Sequence, residues 1–109
     1  MAAYCAAKAG IHNFTYAIAA DVAPYGINVN CAAPGTVRTP MVQQMFKPLV
    51  EKYGMTEDEM YEGWVKASLL GRPILEQDMS NAVVFLASDE ARNINGVVLP
   101  VDGGFVTDA

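Results

Sequence analysis

Basic residues are scarce in this 109-residue sequence: seven lysines and arginines face twelve aspartates and glutamates, a formal net charge of -5. Such a chain has no electrostatic attraction for phosphate backbones or anionic lipid headgroups, which argues against nucleic acid or a membrane surface as partner. Long apolar runs are missing too. The stretch around Tyr16 to Ala20 is cut by Asp21 and Pro24, far short of the roughly 20 apolar residues that span a bilayer. The first residues lack the basic start and apolar core of a secretory signal, so the expected compartment is the cytoplasm. Only two cysteines occur, Cys5 and Cys31, and without metal-type spacing or a secretory context they read as free packing thiols rather than a disulfide or a zinc site. The single histidine, His12, reads as structural or interfacial. The acidic run Glu57-Asp58-Glu59 reads as a helix amino-terminus favoured by the helix dipole, so no metal is expected.

What the chain does have is apolar residues, 52% of the total against 17% charged, the composition of a folding rather than a disordered segment. Its length allows one domain at most and is short for an open α/β sheet. Over residues 2–23, Tyr4, Ala7, Ile11, Phe14, Thr15, Ile18 and Val22 recur at three- and four-residue steps among many alanines, predicting a long helix stopped by Pro24 and Gly26. That helix is apolar nearly all round, so both of its sides are expected to be covered, one by its own sheet and the other by a second subunit or further chain. Residues 27–33 form a β-rich run ending at Pro34-Gly35, and helix followed by buried strand is half of a parallel crossover unit. Thr39-Pro40 opens a Met-rich helix reaching about Tyr53. Thr56 with Glu59 is a capping box starting a further helix that carries Met60, Tyr61 and Trp64. A last helix covers residues 76–88, with Met79, Ala82, Val83, Phe85 and Leu86 inward. Gly96 then leads into a strand over residues 97–101 and a turn at Asp102-Gly103-Gly104. The fold class expected is α/β.

Tyr4 and Lys8 lie four apart, so their side chains lean over one helix face and reach a common point. That geometry has a chemical use. A phenol titrates at about 10, and working as an acid near neutral pH requires roughly 4 kcal/mol of preference for the phenolate. One ammonium at about 4 Å, with an effective dielectric near 20, supplies roughly that much. Taken alone, the pair also fits a packed tyrosine beside a snorkelling lysine.

Its surroundings decide between the two. Tyr4-Cys5-Ala6-Ala7-Lys8-Ala9-Gly10 resembles the Tyr-x-x-x-Lys active-site segment of the short-chain dehydrogenases/reductases. Asn30-Cys31-Ala32-Ala33-Pro34-Gly35-Thr36-Val37-Arg38-Thr39 resembles the family's Asn-x-x-x-Pro-Gly-x-x-x-Thr segment. The helix from Glu76 and the strand ending in Val101-Asp102-Gly103-Gly104 are similar to its final helix, last strand and tail. The resemblance covers essentially the whole chain. It implies the carboxyl-terminal part of a doubly wound Rossmann-type parallel sheet, and an oxidoreductase moving hydride between NAD or NADP and a small carbonyl or secondary alcohol. In that reading Tyr4 is the acid in reduction and the base in oxidation and also lies against the cofactor, and Lys8 favours the phenolate and holds the nicotinamide ribose. Pro34, Gly35, Val37 and Thr39 frame the nicotinamide, with the glycine allowing close approach to a flat ring and the Thr39 hydroxyl reaching the carboxamide. Thr39 also reads as a plain helix cap and Pro34-Gly35 as an ordinary turn. Residues 41–64 sit where the family carries its substrate-binding lid, and the full-length form is expected to be a homodimer or homotetramer.

Parts of the family pattern do not occur in these residues, among them the structural asparagine of the preceding helix and the acidic or basic residue that chooses between NAD and NADP. There is no Gly-x-x-x-Gly-x-Gly or Gly-x-Gly-x-x-Gly, the turn that rests a pyrophosphate on a helix amino-terminus. The serine expected shortly before the tyrosine has no counterpart either, since Ser68, Ser80 and Ser88 all follow Tyr4. The chain is therefore expected to be the carboxyl-terminal half of a single NAD(P)-binding domain, residues 1–109, with the amino-terminal half absent. The alternative is a truncated, non-catalytic piece that docks on a homologous subunit. Two strands rarely stand alone, so the 109 residues by themselves are expected to be poorly soluble or partly ordered, and inactive.

Overall fold

The computed structural model describes residues 1–105. Helix α1 (Ala2–Val22) passes into a 3-10 turn, Ala23–Tyr25, and ends at Gly26, whose φ of 71° is the left-handed conformation glycine adopts without penalty. Strand β1 (Cys31–Pro34) follows, then α2 (Pro40–Tyr53). Thr39 caps α2 with Oγ1 accepting from Val42 N–H at 3.4 Å, and Pro40 takes the first turn, where no donor is lost. Helix α3 (Glu57–Lys66) starts at the capping box legible in the sequence: Thr56 N–H donates to Glu59 Oε2 at 2.8 Å, and Glu59 N–H to Thr56 Oγ1 at 3.2 Å. Helix α4 (Glu76–Ala87) and strand β2 (Val98–Val101) complete the order. β1 and β2 are neighbours in a two-stranded sheet; Cys31 N–H donates to Val97 C=O (2.9 Å) and Gly35 N–H to Val101 C=O (3.1 Å). The offset is the same at both points, as parallel pairing requires, and the α/β class with parallel strands is as expected. No helix among the described residues is long and apolar enough to cross a membrane.

The chain divides into two compact units. The first comprises Met1–Ala33 and Ser80–Leu99. Here three asparagines replace main-chain partners. Asn28 Nδ2 donates to Arg92 C=O (2.8 Å), Asn30 Nδ2 donates to Ile94 C=O (2.8 Å), and Asn30 Oδ1 accepts from Val97 N–H (3.1 Å). Asn95 Oδ1 accepts from Val29 N–H at 2.8 Å. These side-chain bonds occupy ladder positions, which is why the regular strand begins at Cys31 and not at Ile27. Thr15 and Ala19 of α1 are buried, and Gly96 lies against the same turns; a Cβ there would meet the Tyr16 ring at 3.4 Å and the Ala19 methyl at 3.5 Å.

The α1 helix is covered along one stripe, with Ile18 and Val22 half-buried and Tyr4, Ile11, Phe14 and Tyr16 exposed on the side expected to meet a second subunit or further chain. Two expectations are corrected in this unit. Cys5, read as a packing thiol, is exposed because nothing in the described chain covers the first turns of α1; Cys31 is half-buried. Along α4, Ala82 and Leu86 are half-buried as expected, but Val83 and Phe85 face solvent. A helix apolar on several sides carries no stripe that marks the inner one.

The second unit comprises Pro34–Met79 and Pro100–Ala109. Phe46, 2% exposed, and Met60 form its core beneath Trp64. The Trp64 ring stacks on Phe105 (centroids 5.5 Å apart, planes 7° apart) and meets Phe46 at 6.0 Å in a tilted contact. The tail is hooked to the end of α3, where Leu69 N–H donates to Gly104 C=O (3.1 Å) and Leu70 N–H to Gly103 C=O (3.0 Å). Gly103 and Gly104 have φ of 67° and 75°, so the paired glycines read as a turn are required by its left-handed geometry.

The acidic run at the start of α3 divides its labour. Glu59 serves the capping box, Asp58 pairs with Arg38, and Glu57 faces the space beside Arg38. The hydrogen bonds from the Thr56 main chain and then its side chain hold the Glu59 carboxyl below the usual glutamate range. A depressed carboxylate contributes stability above its unfolded value and loses it as pH falls through the folded one. Protection of the amides in the first turn of α3, measured against their intrinsic exchange rate, is therefore expected to fall as the medium is acidified below the ordinary carboxylate range. Glu59→Gln should abolish that acid-side change; an identical acid profile in the variant would refute the assignment.

Candidate functional site

Tyr4 and Lys8 occupy the first turns of α1, where Cys5 N–H already donates to Met1 C=O at 2.9 Å. The helical spacing brings them together as expected: Lys8 Nζ lies 5.5 Å from the centroid of the Tyr4 ring, within cation–π range. Tyr4 is 54% exposed, and among the described residues Lys8 forms no ion pair. A phenol beside an unneutralised ammonium is an arrangement able to hold and release a proton at a reacting oxygen. His12, one turn further on, is exposed.

The other four expected residues belong to the second unit. Pro34 ends β1 and is exposed. Gly35 follows, with no room for a side chain: a Cβ would stand 2.6 Å from Ile74 Cδ1 and 2.9 Å from Asp102 Cα. Real Cβ atoms do not approach main chain that closely, so this chain itself requires glycine at position 35, whatever ring it also admits. Val37 forms a parallel bridge with Ile74. Thr39 is half-buried with its oxygen accepting from Val42 N–H, which leaves its hydroxyl proton free to donate elsewhere.

Ile74 and Asp102 were not singled out as site residues, yet both press on Gly35, and with Thr36, Trp64, Ser68 and Arg72 they help line a shallow, solvent-open cleft. Asp102 also accepts from Gly104 N–H at 2.8 Å, fixing the turn. The Val-Asp-Gly-Gly ending was a usable signal for Asp102. Ile74 carried none, since it meets Gly35 only through the folded chain. Among the described residues no three His, Cys, Asp or Glu side chains gather as a metal site.

Residues 1–106 match the family model described as enoyl-(acyl carrier protein) reductase. The chain belongs to the short-chain dehydrogenase/reductase family. It is 42% identical over 106 residues to a short-chain dehydrogenase/reductase of Armillaria gallica, covering 97% of this chain and 39% of that protein. It is 38% identical over 107 residues to cyclopentanol dehydrogenase of a Comamonas strain, covering 98% and 39%. Among solved structures it resembles an actinorhodin polyketide ketoreductase with NADPH, at a TM-score of 0.86 and 27% identity, covering 98% of this chain and 41% of that one. The chain thus spans about 39% of the length of the curated relatives it matches.

Proposed function

We propose that these 109 residues are the carboxyl-terminal half of a NAD(P)-dependent oxidoreductase that interconverts a small carbonyl compound and its secondary alcohol. The observation that carries this reading is the Tyr4–Lys8 pair, which lies in the family's Tyr-x-x-x-Lys segment with the ammonium 5.5 Å from the ring. The cyclopentanol dehydrogenase among its relatives and the ketoreductase solved with NADPH support the substrate class and the cofactor class.

Each unit by itself carries side chains whose chemistry suits part of such a cofactor. Lys8 has a free ammonium for ribose hydroxyls, Thr39 a free hydroxyl proton for a carboxamide oxygen, and Pro34, Gly35 and Val37 supply an apolar rim. The glycine-rich turn for the pyrophosphate does not occur in these residues. When bound, the nicotinamide supplies or accepts the hydride. Tyr4 holds the matching proton: its phenol donates to the carbonyl oxygen in reduction and its phenolate withdraws the hydroxyl proton in oxidation. Lys8 stabilises the phenolate in both directions. The full-length protein is proposed to be a homo-oligomer.

The test is nicotinamide absorbance with the full-length protein, NADH or NADPH, and a panel of small cyclic ketones and diketones. Turnover of at least one compound is expected. Cofactor binding without hydride transfer to any of them would reject the reading.

A further inference from the structure

Arg38 stands between two residues assigned to the cofactor, but its own side chain serves a helix. Its Nη2 donates to Asp58 Oδ1 in the first turn of α3, and its guanidinium carbon lies 5.4 Å from the centroid of the Tyr61 ring. Asp58 and Tyr61 are three apart and share one helix face, so a single arginine grips α3 at two points, one by charge and one over an aromatic face. The planar guanidinium is suited to both contacts at once, where an ammonium is not.

The backbone that carries Arg38 is anchored on both sides. Val37 is bridged to Ile74, and Thr39 caps α2. Beside the arginine, Val42 and Phe46 of α2 and Glu57 and Tyr61 of α3 line a shallow, solvent-open depression, so Arg38 bridges the two helices at the surface. The far end of α3 carries Trp64, which lines the cleft beside Ile74 and Asp102. Moving the start of α3 therefore moves a wall of that cleft. The ion pair is also easily opened, with side chains 50% and 72% exposed; charges so placed are screened by salt.

We propose that Arg38 is a positioning residue, a salt-sensitive latch that holds α3 closed on the loop of residues 35–39. Resting on the proposed function and on the reading of residues 41–64 as the substrate lid, the latch couples the loop that frames the nicotinamide to α3 of that lid. Opening it raises the substrate KM and leaves kcat nearly unchanged, because Arg38 touches no reacting atom.

The experiment uses the full-length protein and three variants: Arg38→Met, which keeps the apolar stem, Asp58→Asn, and the exchanged pair Arg38→Asp with Asp58→Arg. Backbone hydrogen exchange over α3 reads the latch independently of any hydride chemistry, and steady-state kinetics at low and high salt read the coupling. Salt should raise α3 exchange and substrate KM of the unmutated protein by about two- to fivefold, the scale of one exposed pair. Arg38→Met and Asp58→Asn should show the raised values already at low salt, with little further response, and the exchanged pair should recover part of the salt dependence. Unaltered α3 exchange in both single variants overturns the latch. Faster exchange with an unmoved KM overturns the coupling. If the unmutated protein transfers no hydride, the proposed function and the coupling fail together, while the exchange result still decides whether the latch exists.

Discussion

Replacing Tyr4 by phenylalanine in the full-length protein is expected to lower turnover by about a hundred- to ten-thousandfold, the contribution of a positioned general acid or base, and to leave NAD(P)H affinity nearly unchanged. The substitution removes one oxygen and keeps the ring, so the contact with Lys8 Nζ at 5.5 Å survives. It disturbs little else. Tyr4 is exposed in α1 and caps nothing, and tyrosine and phenylalanine have similar helix propensities. A lost rate therefore reads lost proton transfer and not lost structure, provided the variant melts with the parent. Turnover within a few-fold of the parent would remove Tyr4 from the chemistry and the proposed mechanism with it.

The second large effect is expected from Gly35→Ala, which should destabilise the full-length protein by about 1–3 kcal/mol, the usual scale of overpacking, and lower its Tm measurably. The two collisions differ in kind. Ile74 Cδ1, at 2.6 Å from the new methyl, is the end of a side chain and can swing away; Asp102 Cα, at 2.9 Å, is main chain and cannot. Relief must come from separating the ends of β1 and β2, where Gly35 N–H donates to Val101 C=O at 3.1 Å. Trimming Ile74 to alanine in the same protein should hence recover only the side-chain share of the loss. An unchanged melt for Gly35→Ala would show that the strands separate freely. A normal melt with weakened NAD(P)H binding would instead assign the glycine to the cofactor alone.

Much of the fold was legible because its signals are short-ranged. Thr39-Pro40, Thr56 with Glu59, and Asp102-Gly103-Gly104 each specify a cap or a turn within a few residues, and the structure forms all three. The Tyr4–Lys8 pair is of the same kind, since one helical turn sets its separation. Partners distant in sequence were not legible. Arg38 meets Asp58 across twenty residues, and Asn30 meets Ile94 and Val97 across more than sixty. Nothing local to an arginine or an asparagine announces such a partner.

By itself the sequence determined the helices, their caps, the parallel α/β class and the Tyr4–Lys8 pairing, because hydrophobic period, capping chemistry and proline or glycine placement act within a turn or two. Only the tertiary structure decided where β1 begins, which sides of α1 and α4 are covered, and that Ile74 and Asp102 close around Gly35. Those features depend on where the chain returns to after long excursions. The position of a returning segment follows from packing as a whole, which no local run of residues encodes.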